Sequence, residues 1–216
     1  GGDVAFTNAT LVSNSSSSGA GGSVSVIGLD NGIGTGAVTF TGASSIATNA
    51  SGSGAGGSVS VQGTDITSTS SSNPFISSIA SGSGTGGSVS VVGTGAVTLT
   101  GSAATLGATQ GGIIADSRGS AQGGSIAVQG ATVDLTDITV SAGTSGAATA
   151  TARGGGVSVN ATGALNITNS RVSARTGSTI RNVAGNIVLG GSDIDINASQ
   201  ILAETSNNIE DPANTF

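Results

Sequence analysis

The chain has 216 residues, 39 of them glycine, a formal net charge of −6, and no Cys, His, Met, Trp or Tyr. That composition excludes disulfide staples and thiol chemistry, the usual near-neutral base and commonest metal ligand, and the best stacking platforms for sugars or bases. The five cations, all Arg, form no basic patch that would suit nucleic acid, and no run of 18 apolar residues is present to span a membrane.

Gly, Ser, Thr, Ala and Asn make up most of the chain, a composition that usually goes with disorder. Two features oppose disorder here. Apolar residues alternate with small polar ones in short runs, which is strand periodicity. The mean hydropathy of +0.26 is also too apolar for a solvated tail.

In chain order, the first predicted strand is Val4-Phe6. Its surroundings, Gly2-Asp3-Val4-Ala5-Phe6-Thr7, align with Gly36-Ala37-Val38-Thr39-Phe40-Thr41. The sequence therefore starts inside a repeat, and reads as a processed product or a piece of a longer solenoid. A second short strand surrounds Leu11. After a Ser/Gly loop comes the most informative phrase, Gly21-Gly22-Ser23-Val24-Ser25-Val26. It recurs as Gly56-Gly57-Ser58-Val59-Ser60-Val61, Gly86-Gly87-Ser88-Val89-Ser90-Val91 and Gly123-Gly124-Ser125-Ile126-Ala127-Val128. Weaker copies surround Val157 and Ile187. The first apolar residues are spaced 35, 30, 37, 31 and 30 apart, the signature of one unit stacked on itself.

Each repeat offers three strands. The glycine-led phrase is the first. The second is centred on Val4-Phe6, Val38-Phe40, Ile66, Val97-Leu99, Val133-Leu135, Leu165-Ile167 and Ile194-Ile196. The third is built around Leu11, Ile46, Ile79, Ile113, Ile138, Val172 and Ile201. This pattern predicts an all-β, right-handed parallel β-helix (β-solenoid) of about seven coils of ~30 residues, with three short strands per coil. Val, Ile, Leu and Phe would point inward, and Ser, Thr, Asp and Asn outward. Glycines at the corners would supply positive φ. The expected domain is residues 1–206. Residues 207–216, with Pro212, form a tail, cap or linker. Residues 101–112 read as an insertion, and 70–75 as a bulge.

Several patterns invite a chemical reading. Gly52-Gly54-Gly57 and Gly82-Gly84-Gly87 have the spacing of a dinucleotide fingerprint, but a strand follows where a helix is needed. They read as repeated loops. Asp193 with Asp195, and Asp134 with Asp137, are the nearest paired carboxylates. Asp134 is expected one rung earlier in the column family of Asp195. A solvated acidic face competes with catalysis or calcium binding there. No cofactor or metal is expected.

A sharper pattern is made by outward threonines at Thr39 and Thr41, Thr67 and Thr69, and Thr98 and Thr100. Thr7, Thr136 and Thr168 continue it, while Asp134, Asn166, Asp195 and Asn197 interrupt it. Stacked rungs would make two files of hydroxyl and methyl groups. Such a face suits ice or a glycan, although Thr is also an ordinary filler of strands. Arg118, Arg153 and Arg181 precede glycine-led strands and are candidates for a weak basic stripe facing an anionic glycan. Asn-x-Ser/Thr sequons at Asn8, Asn14, Asn49, Asn160, Asn166 and Asn197 are expected by chance in so Asn- and Ser-rich a chain.

The succession GGSVSV, VTLTG, a third strand such as SRVSA, then a Ser/Gly loop resembles the repeat region of filamentous-haemagglutinin-like exoproteins of two-partner secretion. The likeness covers nearly all of residues 1–206. It implies a β-helix shaft exported across an outer membrane and shown at the bacterial cell surface, with no catalytic residues. The expected function is an extracellular structural or adhesive section of a fibre. Its expected partners are a second copy stacked end to end, the continuation of a longer chain, or surface glycans. An ice- or glycan-binding solenoid using the Thr files is the alternative, and a polysaccharide-active enzyme using Asp134, Asp193 and Asp195 a weaker one.

Overall fold

In the computed structural model, residues 2–29, 36–72, 75–101, 111–119, 121–145, 153–177 and 183–205 are described. Among them there is no helix, and the strands assort into three parallel sheets that stack as a β-solenoid. The first sheet holds the glycine-led strands Ser23–Ile27, Ser58–Gly63, Ser88–Gly93, Ser125–Gly130, Gly156–Ala161 and Asn186–Gly190. The second holds Val4–Thr7, Val38–Gly42, Ile66–Ser70, Ala96–Thr100, Thr132–Thr136, Ala164–Thr168 and Asp193–Asn197. The third holds the short strands Thr10–Val12, Ser45–Ala47, Ile76–Ser77, Gly112–Ile114, Thr139–Ser141, Arg171–Ser173 and Gln200–Leu202.

Alternation decides which side chains meet. In a parallel ladder, like positions stack at about 4.8 Å, so an apolar position becomes an apolar column. Val24, Val59, Val89, Ile126, Val157 and Ile187 form one such column in the first sheet. Val38, Ile66, Val97, Val133 and Leu165 form another in the second, and all five are buried. These columns merge into one continuous core. No coil could bury its own apolar face alone, so cohesion comes from stacking.

One column changes size along its length. Phe6 and Phe40 stack with ring centroids 5.0 Å apart and planes 8° from parallel. The next position is Ser68, which is far smaller, and the column resumes with Leu99. The same coil contributes Phe75, fully buried in the same core. Phe75, read from the sequence as the end of a bulge, is therefore core. Asn73 and Pro74 lie outside the described residues, as do 102–110 of the expected insertion and all of the expected tail, 207–216.

Two third-strand centres differ from expectation. The ladder runs Leu11, Ile46, Ile76, Ile113, Val140, Val172, Ile201, so Ile76 and Val140 occupy the positions assigned to Ile79 and Ile138. Ile79 lies past its strand and Ile138 before its own, yet both are buried at the corners. In a strand of two or three residues, one apolar neighbour is as good as the next by pattern. The ladder chooses by register.

The paired glycines serve a purpose other than the expected one. Among the described residues, Gly42 is the one glycine with positive φ, at 62°. Gly42 lies at the corner between second and third strands, and in other coils that corner puts Asn8, Asp137, Asn169 and Ala198 in the left-handed region. The Gly-Gly phrase closes the coil. Its second amide donates across the cross-section to a third-strand-side carbonyl: Gly57 to Thr48 (2.6 Å), Gly87 to Ser78 (2.9 Å), Gly124 to Ala115 (2.7 Å), Gly155 to Ala142 (2.6 Å) and Gly185 to Ala174 (2.8 Å). A Cβ at Gly86 would sit 2.3 Å from the Ala115 oxygen and 2.4 Å from the Gly124 nitrogen. The two walls can meet because neither carries bulk there.

Not every Ser and Thr faces water. Ser44, Ser170 and Ser199 each turn the hydroxyl back onto the last carbonyls of the second strand, at Thr41, Thr168 and Asn197, each at 2.7 Å. Thr48 Oγ1 donates to Ser78 Oγ at 3.1 Å, and Ser78 Oγ donates to the Gly57 carbonyl at 2.7 Å. Burial without a partner would cost about 1–3 kcal/mol per group; these hydroxyls are held by backbone carbonyls, Thr48 through the Ser78 hydroxyl.

Candidate functional site

The second sheet places the threonines as two files. Ala5, Thr39, Thr67, Thr98, Asp134, Asn166 and Asp195 occupy one column. In the other, Thr7, Thr41 and Thr69 stack, as do Thr100, Thr136, Thr168 and Asn197. Thr39, Thr41, Thr67, Thr98 and Thr100 are half-buried and Thr69 is exposed. Part of the hydroxyl capacity is used within the file. Thr41 Oγ1 donates to the Phe6 carbonyl at 3.2 Å, leaving Thr7 to donate to Thr41 at 3.0 Å.

The acidic residues do not converge as expected. Asp134 is two rungs from Asp195 rather than one, because Asn166 lies between them. Asn166 Nδ2 donates to Asp134 Oδ1 at 2.6 Å, and Asn169 Nδ2 donates to Asp137 Oδ1. Both carboxylates are thereby built into amide ladders. Asp193 and Asp195 are exposed on the last of these strands. Among the described residues, no group of three His, Cys, Asp or Glu could hold a metal ion, and no helix is long and apolar enough to cross a membrane.

The expected arginine stripe is not formed by the two members that are described. Arg118 follows Ser117, which bridges Thr144, whereas Arg153 bridges Val183 and takes the Gly123 amide on its carbonyl. They occupy different positions of the coil. Arg181 lies outside the described residues.

A cluster that sequence reasoning missed lies over the third sheet, where a groove of about 330 Å³ is lined by Asp116, Thr144, Arg171, Ser173 and Arg175, among others. Its geometry follows from register. Arg171, Ser173 and Arg175 alternate, so all three point outward from one segment. Gly143 lies between Arg175 and Asp116 in one column, and Gly112 and Thr139 lie below Arg171. The small residues leave the hollow, and the long side chains border it.

The electrostatics are uneven. Asp116 Oδ1 accepts from the Gly143 amide at 2.6 Å and from Ser141 Oγ at 2.8 Å. Burial pushes the Asp116 carboxyl above its ordinary pKa, an effect opposed by those two hydrogen bonds and by Arg118 and Arg171. Arg175 Nε lies 2.7 Å from Glu204 Oε1. The signal in the sequence was Arg171-Val172-Ser173-Ala174-Arg175, two cations on one outward face. It was legible only after the third strand was placed in register with Asp116.

Comparison with family models, with curated proteins and with solved structures finds no match to this chain. The class defined by the fold is thus the parallel β-solenoid, and function rests on the faces described above.

Proposed function

We propose that this chain is a section of an extracellular structural or adhesive fibre of a bacterial cell surface, of the filamentous-haemagglutinin-like kind. In this reading the solenoid winds right-handed, the default for parallel crossovers, through about seven coils of ~30 residues. The observation that carries it is the uninterrupted in-register pairing of all three sheets. A rod held by continuous backbone ladders resists bending and repeats its side chains at about 4.8 Å. Its outermost rungs continue the ladder into further coils of a longer chain or into a second copy stacked end to end.

The test joins shape to adhesion. Electron microscopy of the purified chain should show straight rods or fibres, with an axial diffraction repeat of about 4.8 Å. Beads coated with the chain should be retained on glycan-bearing surfaces above beads coated with an inert protein. Compact particles would overturn the structural part, and retention equal to the control the adhesive part. Ice binding is a second reading, supported by the stacking of Thr39, Thr67 and Thr98. Thermal hysteresis lost in Thr67→Val together with Thr98→Val would favour it, and no hysteresis in the parent chain would end it.

A further inference from the structure

Among the described residues, three buried side-chain polar atoms have no hydrogen-bond partner: Thr144 Oγ1, Arg171 Nε and Arg175 Nε. All three residues line the same groove over the third sheet. Elsewhere in the described solenoid the inward hydroxyls are tied down, and an orphaned buried donor costs about 1–3 kcal/mol. Convergence of the exceptions on one hollow calls for a ligand-sized explanation. Arg175 is the least in need of one, since its Nε lies 2.7 Å from the Glu204 carboxylate. Arg171 has no ion-pair partner among the described residues.

We propose that this groove binds an acidic saccharide unit, its carboxylate on Arg171 and its hydroxyls along Thr144, Ser173 and Asp116. Three features of the groove select that class. Arg171 borders the groove with a guanidinium, the group whose planar fork matches a carboxylate. The local charge balance sets Arg118, Arg171 and Arg175 against Asp116 and Glu204, which leaves one positive charge to be met. The rest of the wall is small and hydroxyl-bearing, suited to a ligand rich in hydroxyls. Asp116 uses Oδ1 on Ser141 and Gly143, and its other oxygen remains to accept from a sugar hydroxyl. The site stands apart from the fibre reading, and a solenoid that formed no fibre would still carry it.

The experiment is calorimetric titration of the whole chain with a trigalacturonate, with maltotriose as the neutral counterpart and inorganic sulfate as a bare anion. Trigalacturonate should bind saturably and maltotriose should not. Arg171→Gln should weaken binding about tenfold or more, the worth of a charged hydrogen bond. Thr144→Val should weaken it less, and Arg153→Gln, on another part of the coil, should leave it unchanged. Thermal melting of each variant separates lost binding from lost fold. If Arg171→Gln melts early, Arg171→Lys keeps the charge and loses the fork, and should still bind more weakly. Three results would overturn the proposal: no saturable binding of trigalacturonate, displacement of it by equimolar sulfate, or a loss in Arg153→Gln equal to that in Arg171→Gln.

Discussion

At the scale of single residues, the corners carry the strain. Asn8, Asp137 and Asn169 adopt left-handed φ of 51°, 53° and 46°, which short polar side chains tolerate. Ala198 holds φ 47° at the same corner with no such compensation. An L residue without a local hydrogen bond loses about 1–2 kcal/mol there. Ala198→Asn is expected to recover about 1 kcal/mol. Hydrogen exchange at the Asn169 amide, which donates to the Asn197 carbonyl at 3.0 Å, should slow accordingly. Unchanged or faster exchange would show that the corner is not strained. Asp116 gives a second prediction. Its folded pKa is raised, chiefly by burial, so the folded state holds the proton more tightly than the unfolded chain. The resulting stability is present below the unfolded pKa, about 4, and is lost as pH rises through the folded value. Asp116→Asn can keep both hydrogen bonds through Oδ1 and has no charge to bury. Its denaturant midpoint should lack the parent's decline from about pH 4 upward. An identical pH profile in the two proteins would remove Asp116 as the cause.

At the scale of elements, the Gly-Gly phrase is a seam between two walls. Thr48, Ser78, Ala115, Ala142 and Ala174 accept the second glycine's amide and are themselves small and buried. Gly86→Ala would press a methyl to 2.3 Å of one backbone oxygen and 2.4 Å of one backbone nitrogen. The neighbours are main chain and cannot rotate away, so the expected loss is about 3 kcal/mol, the upper part of the range for overpacking. Urea denaturation checks it, with Gly156→Ala as the control, because nothing lies within 4 Å of a Cβ there. A loss no larger than the control's would show that the seam can open. The same seam marks how far the sequence could be read. The repeat phrase located all six strands of the first sheet, and alternation located the seven of the second. Both have at least two inward positions to fix their phase. The third strands are too short for that. Ile76 against Ile79, and Val140 against Ile138, are settled by which rung lies beside them, and so is the burial of Phe75. The groove was hidden for the same reason. Asp116 and Arg175 are far apart in sequence and meet only through the column containing Gly143.

At the scale of the whole molecule, cohesion runs between neighbouring coils rather than inward to a single centre, so a coil should be removable. Residues 58–87 are one such unit, because Ser58 pairs with Ser23 on one side and with Ser88 on the other. Excising them would bring Ser88 onto Ser23 and Val89 onto Val24, like upon like. In the second sheet, Val97 would meet Val38 and Leu99 would meet Phe40. The excision removes Ser68 and Phe75 together, so the small residue and the large one that accompanies it leave as a pair. The shortened chain should fold and keep its β-sheet circular dichroism per residue. The denaturant m-value tracks the surface exposed on unfolding. It should fall by roughly a seventh, in proportion to the 30 residues lost from 216. A protein organised around one closed core would instead lose its centre and unfold. An unfolded excision product, beside a folded parent, would therefore mean that cohesion is global. The fibre reading, which relies on coils being interchangeable along the axis, would then lose its physical basis.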